Sequence, residues 1–321
     1  MKAAIYIPGE TPKYGDFAEP VVQNDNQLLI TVKAAAVKNL DKGIVSGRHY
    51  SSDTNAQPKV AGIDGAGELA DGTRVYGFGI IGMIAEKALI DKSRMVKLPA
   101  NLNYVTAAAL PNAVMGAGAA ICYRAILKQN EVVLINGATG VTGMVAVQIA
   151  KHYGAKKVIV TGRNQESLNK LLHLGADEII SLKQEDEEIL KQLKEIHSST
   201  PIDVVIDYLW GHPAELILAA LQGTGGLTHK VRFVTVGGMA GDKIQLSSGT
   251  LRSSDIEISG SGLGSLPGDA MQKLFTEMVP EMLQLAADGK LKIDTETADL
   301  KDVETAWNKE LSSGKRLVIV M

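Results

Sequence analysis

The sequence has one cysteine, Cys122, in 321 residues. That excludes a disulfide within the chain and any cysteine-rich zinc site, and it suits a reducing cytoplasm. Cys122 follows Ala119, Ala120 and Ile121 and reads as a buried structural thiol rather than a nucleophile. Aromatic residues make up only 4% of the chain, too few to outline a pocket in advance. Neither sign of charge dominates: the formal net charge is −3, so nothing argues for nucleic acid or an anionic membrane as partner. Long apolar runs are also missing. The longest tract, Val105 to Ile126, is broken by Pro111, Asn112 and several glycines, and reads as packed helices rather than a membrane span. The opening MKAAIYIPGE lacks the apolar core and cleavage site of a secretory signal, so the expected compartment is the cytoplasm. Beyond His49, the histidines at 152, 173, 197, 212 and 229 are scattered without ligand spacing.

What is present is organised around Glu131 to Lys151, EVVLINGATGVTGMVAVQIAK. Val132-Val133-Leu134-Ile135 is short and β-branched enough for a buried parallel strand. Gly137-Ala138-Thr139-Gly140-Val141-Thr142-Gly143 follows, and small and apolar residues continue to Ala150 as in a helix facing a sheet. Strand, glycine turn and helix together form the context in which a glycine fingerprint predicts a dinucleotide. The first glycine permits the tight turn, Gly140 lets the backbone approach a ligand, and Gly143 lets helix and strand pack closely. The helix N-terminus then offers N–H groups to a pyrophosphate.

Residues before about 100 are strand and turn material with no long helical period. From Glu131 onward strands and helices alternate. Further strands are expected at Lys157–Thr161, Glu178–Ser181, Asp203–Asp207, Val231–Val236 and Ile256–Ile258. With the first, they give the α/β fold of a doubly wound parallel sheet. The tail changes pattern again, with an amphipathic helix over Asp269–Ala287, an extended run, a second helix over Lys301–Glu310 and a final strand from Arg316 to Val320. A dinucleotide domain does not need these elements. The tail is therefore expected to complete the first lobe, with the nucleotide domain inserted and a cleft between them. The expected division is 1–112 with 265–321 for the substrate lobe and 113–264 for the nucleotide domain.

An enzyme that uses NAD usually has an acidic residue at the end of the second strand, to hold the ribose 2′-hydroxyl. Here that place reads Thr161-Gly162-Arg163-Asn164, without a carboxylate. A guanidinium suits a 2′-phosphate, so NADPH is expected over NADH; a solvated loop arginine is the alternative.

This order of parts resembles the medium-chain dehydrogenase/reductase superfamily, and within it the zinc-free quinone oxidoreductases, the zeta-crystallin-like branch. The resemblance rests on Met1-Lys2-Ala3-Ala4, Val37-Lys38-Asn39-Leu40-Asp41 with Ser46-Gly47, Ala61 to Gly67, Arg74-Val75-Tyr76-Gly77-Phe78, Val96-Lys97-Leu98-Pro99, Ala109-Leu110-Pro111 and Leu174-Gly175-Ala176-Asp177. Its most specific marks are Asn130, Glu131 and Leu134 before the fingerprint and Gly143, Gln148 and Lys151 after its start. The resemblance implies a GroES-like, mostly-β catalytic lobe with an inserted Rossmann domain. It also implies an NADPH-dependent, zinc-independent transfer of hydride to a quinone or activated enone, and a homodimer joined edge to edge through Ile256-Glu257-Ile258. Two departures stand out: Val141 replaces the family's second adjacent glycine, and the link from Ala66 to Arg74 is short. In zinc-dependent relatives the metal ligands would fall near Lys38, Ile63 and Asn112, none of them Cys or His, so no metal is expected.

The same resemblance nominates site residues. Lys38 would either steady an enolate or hydroquinone anion or extend to solvent. Tyr50 or His49 would lie near the acceptor, Asn39 would touch the nicotinamide ribose, and Asp41 would hold its loop together. The cofactor groove would comprise Thr139, Gly140, Val141, Thr142, Gly162, Arg163 and Asn164. Topology, with ligands at the carboxyl ends of the strands, continues it through Asp207-Tyr208 and Gly237-Gly238-Met239, and the resemblance adds Gly262 and Leu263 after the sixth strand. Three other readings stay open or are set aside. Enoyl reduction of an acyl thioester belongs to the same superfamily, and a sensor or structural protein that binds NADPH without turnover belongs to another class. Short-chain dehydrogenases place a similar glycine string at the N-terminus, whereas here it begins at Gly137.

Overall fold

The computed structural model describes residues 1–48, 52, 57–223 and 226–321. The chain forms two compact units, Met1–Asn112 with Phe275–Met321, and Ala113–Leu274.

The first unit begins with β1 (Lys2–Tyr6), β2 (Lys13–Asp16), β3 (Gln27–Val37) and β4 (Lys59–Val60). β1 pairs antiparallel with both β2 and β4. A second sheet is built from β3, β5 (Asp64–Glu68), β6 (Arg74–Phe78), β7 (Lys87–Asp91) and β8 (Val96–Lys97). The long β3 is its hub, pairing antiparallel with β5 and β7. Between β3 and β4 lies a short helix, α1 (Asn39–Val45), in a stretch read from sequence as a loop. Seven residues are too few to display a helical period. A second helix, α2 (Tyr104–Gly118), runs on with wider turns to Arg124. It is long and apolar enough to cross a bilayer, but 72% of its most apolar window is buried in the fold, as in a core helix.

The second unit holds β9 (Val132–Asn136), β10 (Lys157–Gly162), β11 (Glu178–Ser181), β12 (Val204–Asp207), β13 (Val231–Thr235) and β14 (Ile256–Gly260). Their order across the sheet is β11-β10-β9-β12-β13-β14, every pair parallel. This is the order of a dinucleotide-binding sheet. All five residues of β9 are buried, as the unbroken apolar run implied. α3 (Val141–His152) connects β9 to β10, and α4 (Gln165–His173), α5 (Asp186–Ser199) and α6 (Gly211–Ala220) follow. Leu134, Ile159, Val205 and Phe233 from the sheet pack with Ile189, Leu193 and Ile217 from these helices.

The tail returns to the first unit. Its helical stretch from Ala270 to Ala287 is interrupted by wider turns at Leu274–Met278, just before Pro280, which has no N–H to give. β15 (Asp294–Asp299) then pairs parallel with β16 (Lys315–Val320), and β16 runs antiparallel along β3, Leu317 opposite Val37. Trp307, Leu317 and Ile319 enter the same core as Tyr6, Ile30, Val75 and Ile84, so the first unit is incomplete without the tail.

Candidate functional site

In the second unit the turn between β9 and α3 is fixed by close packing. Gly137 has φ +79°, and a side chain there would also run into Leu209, at 2.6 Å. Gly143 lies so near the preceding turn that an added Cβ would sit 2.5 Å from the Ala138 Cα. Gly140 differs: an added Cβ would meet nothing within 4 Å. Gly140 is also the N-cap of α3 and supplies no side chain to its first N–H groups. These donors face outward with a partial positive charge, as an anion site requires. Val141, the departure from the family's fingerprint, opens the helix and is compatible with this arrangement.

A polar brace crosses the sheet beneath the turn. Thr161 Oγ1 donates to Asn136 Oδ1 at 2.5 Å and accepts from the Gly137 N–H at 3.0 Å. Asn136 Nδ2 donates to Asp207 Oδ1 at 2.8 Å. Asp207 also accepts the N–H groups of Leu209 and Trp210, at 3.0 and 3.1 Å. Burial pushes the Asp207 carboxyl above the ordinary aspartate value, against the pull of these donors. The sequence reading named Asp207 but missed Asn136 and Thr161, whose polar character inside buried strands was the available signal.

Parallel strands all end at one edge, and the nominated cofactor residues of this unit lie at or just past those ends. Thr139, Gly140, Val141 and Thr142 follow β9. Gly162 closes β10, packed against Thr139, and Arg163 is exposed beside it. Asn164 caps α4, its Oδ1 accepting the Ser167 N–H at 2.8 Å. Lys183, exposed just beyond β11, follows Leu182, whose N–H bonds Gly162 O at 2.8 Å. Tyr208 lies directly after β12. It is 9% exposed, its N–H bonds Asn136 O at 3.0 Å, and its hydroxyl is buried without a hydrogen-bond partner. Burial raises its pKa. Gly237 packs on the Tyr208 backbone, Gly238 follows it, and Met239 is exposed. Gly262 follows β14, its N–H bonded to Ser265 Oγ at 2.9 Å; the Leu263 side chain lies outside the described residues. Active short-chain dehydrogenases need a Tyr-x-x-x-Lys pair; the sequence holds one such spacing, Tyr153 and Lys157, but it is split between the end of α3 and the start of β10. Lys157 is bound to Glu178 at 2.6 Å, so the pair does not share a helix face.

The first unit holds a different kind of site. Lys38 is 2% exposed, which overturns the solvent-facing alternative. Its ammonium donates to Ala36 O at 2.8 Å and to Asp64 Oδ1, and lies 3.0 Å from Asp41 Oδ2. An ammonium has three N–H donors, and each has an oxygen here. Asp41 also accepts the N–H groups of Lys38 at 2.8 Å and Ile63 at 2.9 Å, tying the start of α1 to the strand that follows. Tyr76 donates to Asp64 Oδ2 at 2.6 Å. Arg316 from β16 is 7% exposed, lies within the field of both carboxylates, and leaves its buried Nε without a partner. Burial alone would depress the Lys38 ammonium, but Asp41 and Asp64 outweigh it and hold its pKa above the ordinary value. Burial raises Asp41, partly offset by Lys38. Burial and the adjoining Asp64 together hold the Tyr76 hydroxyl well above its ordinary value. Asn39, the first residue of α1, is exposed. Tyr50 and His49 lie outside the described residues. Beside α1 a cavity of about 480 Å³ is walled by Phe17, Ile44, Val60, Ile63, Ile80 and Ile81 among others.

Comparison with known proteins places this geometry. Residues 141–288 match the family model described as zinc-binding dehydrogenase. The pig quinone oxidoreductase (Sus scrofa) is 33% identical over 205 residues, 60% of each chain. The orangutan quinone oxidoreductase (Pongo abelii) is 30% identical over 229 residues, 65% of this chain and 68% of that one. A mitochondrial enoyl-[acyl-carrier-protein] reductase from Arabidopsis thaliana is 30% identical over 189 residues, 58% of this chain and 48% of its own. The matched region thus spans 60% of the length of the pig relative. The solved Escherichia coli quinone oxidoreductase complexed with NADPH superposes over 100% of both chains, with TM-score 0.81 and 22% identity. The zinc of the family model's description does not fit this chain. Catalytic zinc needs three ligands drawn from thiolate, imidazole and carboxylate, and the positions that the family resemblance assigns to them hold Lys38, Ile63 and Asn112. Among the described residues no group of three or more His, Cys, Asp and Glu side chains is placed to hold a metal. A parallel six-stranded sheet with an open glycine turn, a β-rich unit completed by the tail, and the likeness to quinone oxidoreductases lead to one assignment: the chain belongs to the medium-chain dehydrogenase/reductase superfamily, in its zinc-free quinone oxidoreductase branch.

Proposed function

We propose that the chain is an NADPH-dependent reductase that passes a hydride to a quinone or an activated enone without a metal. The observation that carries this reading is the turn at Gly140: space for a ligand against the backbone, an uncapped helix N-terminus, and Arg163 at the neighbouring strand end in place of a carboxylate. Gly140, Val141 and Thr142 would hold the pyrophosphate, and Arg163 the 2′-phosphate, with Lys183 adding a second cation at that edge. The buried hydroxyl of Tyr208 supplies a donor for a cofactor oxygen. When bound, the nicotinamide supplies the hydride. The chain's own part is to bind, orient and exclude water, and alignment of reactants alone is worth roughly 7–11 kcal/mol of barrier in model systems.

The cavity beside α1, walled by apolar side chains together with Asp41 and Lys59, suits an uncharged conjugated acceptor, which spreads developing negative charge over its own π-system. Enoyl reduction of an acyl thioester is the second reading, supported by the Arabidopsis relative. β14 ends the sheet order, so two copies pairing through Ile256–Gly260 would give a homodimer. The chain would act in the cytoplasm, with no nucleic acid or membrane partner.

The test is a panel of quinones, enones and enoyl thioesters offered with NADPH or NADH. Turnover on quinones or enones with NADPH preferred is the expected result. Turnover confined to enoyl thioesters would move the assignment to the second reading. Tight NADPH binding without turnover on any acceptor would favour a sensor.

A further inference from the structure

The cluster around Lys38 is unusual for a lysine. Its charge lies inside the first unit, where an unpaired ion is costly. Three oxygens surround it: one carbonyl, Ala36 O, and two carboxylates, Asp41 Oδ2 and Asp64 Oδ1. Hard oxygens of this kind, two of them anionic, are what a protein offers to a divalent cation such as Mg²⁺ or Mn²⁺. The same oxygens cross-link the unit. Ala36 is the last residue but one of β3, Asp41 lies in α1 and is bound to Ile63 N–H, and Asp64 opens β5 and is bound to Tyr76 of β6. The ionisable groups also balance: Lys38 and Arg316 stand against Asp41 and Asp64, with Tyr76 neutral.

We propose that Lys38 is a built-in cation: its ammonium occupies a three-oxygen site and does the charge-balancing and cross-linking work that a bound metal would do. This goes beyond the absence of zinc ligands. It assigns Lys38 a positioning role, because every donor of its ammonium is turned to the protein and none is left for an acceptor oxygen. It also names the ligand class that the site takes when the side chain is removed: a hard divalent cation with one ion per chain.

The experiment uses the full chain and the variant Lys38→Gly, which clears the site while leaving the extended backbone at the N-cap of α1 undisturbed. The wild-type Tm should be the same in EDTA and in Mn²⁺. The variant should unfold about 10 °C lower in EDTA. Millimolar Mn²⁺ should recover about half of that loss, and Mn²⁺ electron paramagnetic resonance should count one tight site per chain. Adding Asp41→Asn and Asp64→Asn to Lys38→Gly should abolish Mn²⁺ binding. A folded Lys38→Gly variant with the wild-type Tm, or one indifferent to Mn²⁺, would overturn the proposal. So would a full equivalent of zinc retained by the wild type. If Lys38→Gly does not fold, the pair Lys38→Met and Asp64→Asn decides. It leaves Arg316 against Asp41, and Asn keeps an acceptor for Tyr76, so restoring the charge balance should restore folding, and failure there also refutes charge balance as the role of Lys38.

Discussion

The two polar centres of the molecule differ in what they leave undone. At the turn after β9 the helix N-terminus has no side-chain cap, Gly140 faces open space, and the hydroxyl of Tyr208 is buried without a partner. Around Lys38 every ammonium donor has an oxygen, and Asp41 and Asp64 each bind more than one group. Polar groups paired within a unit hold that unit together, whereas buried or clustered donors left open mark a place for something else. On the reading proposed above the first arrangement is a binding surface and the second is scaffold, although by sequence the lysine was the more obvious catalytic candidate.

The difference can be broken at the scaffold first. Lys38→Met leaves two buried carboxylates with only Arg316 against them and should cost about 3–5 kcal/mol of stability, read by denaturant unfolding. The pH dependence follows from the raised Lys38 value. Its contribution is complete below the ordinary pKa of 10.5 and is lost as pH climbs through the higher folded-state value. Wild type should therefore show an alkaline loss of stability that Lys38→Met lacks.

At the nucleotide turn, two glycines only three positions apart should separate folding from binding. Gly143→Ala drives a Cβ into the backbone of Ala138 and should cost about 1–3 kcal/mol, measured by thermal unfolding. Gly140→Ala meets no protein atom, so its Tm should stay near that of wild type while NADPH affinity falls roughly tenfold, read by fluorescence titration. A drop in Tm with unchanged affinity would make Gly140 scaffold as well.

Smaller effects sharpen the same contrast. Arg163→Ala should raise the KM for NADPH about tenfold, the worth of a charge-assisted hydrogen bond, and leave that for NADH unchanged. Equal shifts for both cofactors would remove its assigned role. Tyr208→Phe deletes a hydroxyl that has no partner in the fold, so stability should hold or rise slightly. Its KM for NADPH should rise about threefold, the lower end of a net hydrogen-bond contribution.

The parallel sheet was legible because its signals are local. Val132–Ile135 is an unbroken apolar run, and the glycines that follow it are spaced for a turn and a close helix. The return of the tail was legible because strands and helices continue after the six that the sheet needs. The brace under the turn was not, since Thr161 and Asp207 reach Asn136 from 25 and 71 positions away. The burial of Lys38 was hidden for the same reason: Asp64 lies 26 positions on, and Tyr76 a further 12. A lysine in isolation reads as a surface residue or a reactive one. Only the pairing of β3, β5 and β6 turns it into an internal ion. α1 escaped notice because seven residues carry too little periodicity to separate a helix from a loop.

The most direct test of the account is the initial rate of NADPH oxidation with a simple quinone, before and after exhaustive dialysis against EDTA, with metal content assayed in the same samples. The account expects a rate unchanged by chelation and no stoichiometric metal in either sample. A rate that falls on chelation and returns with zinc would contradict it.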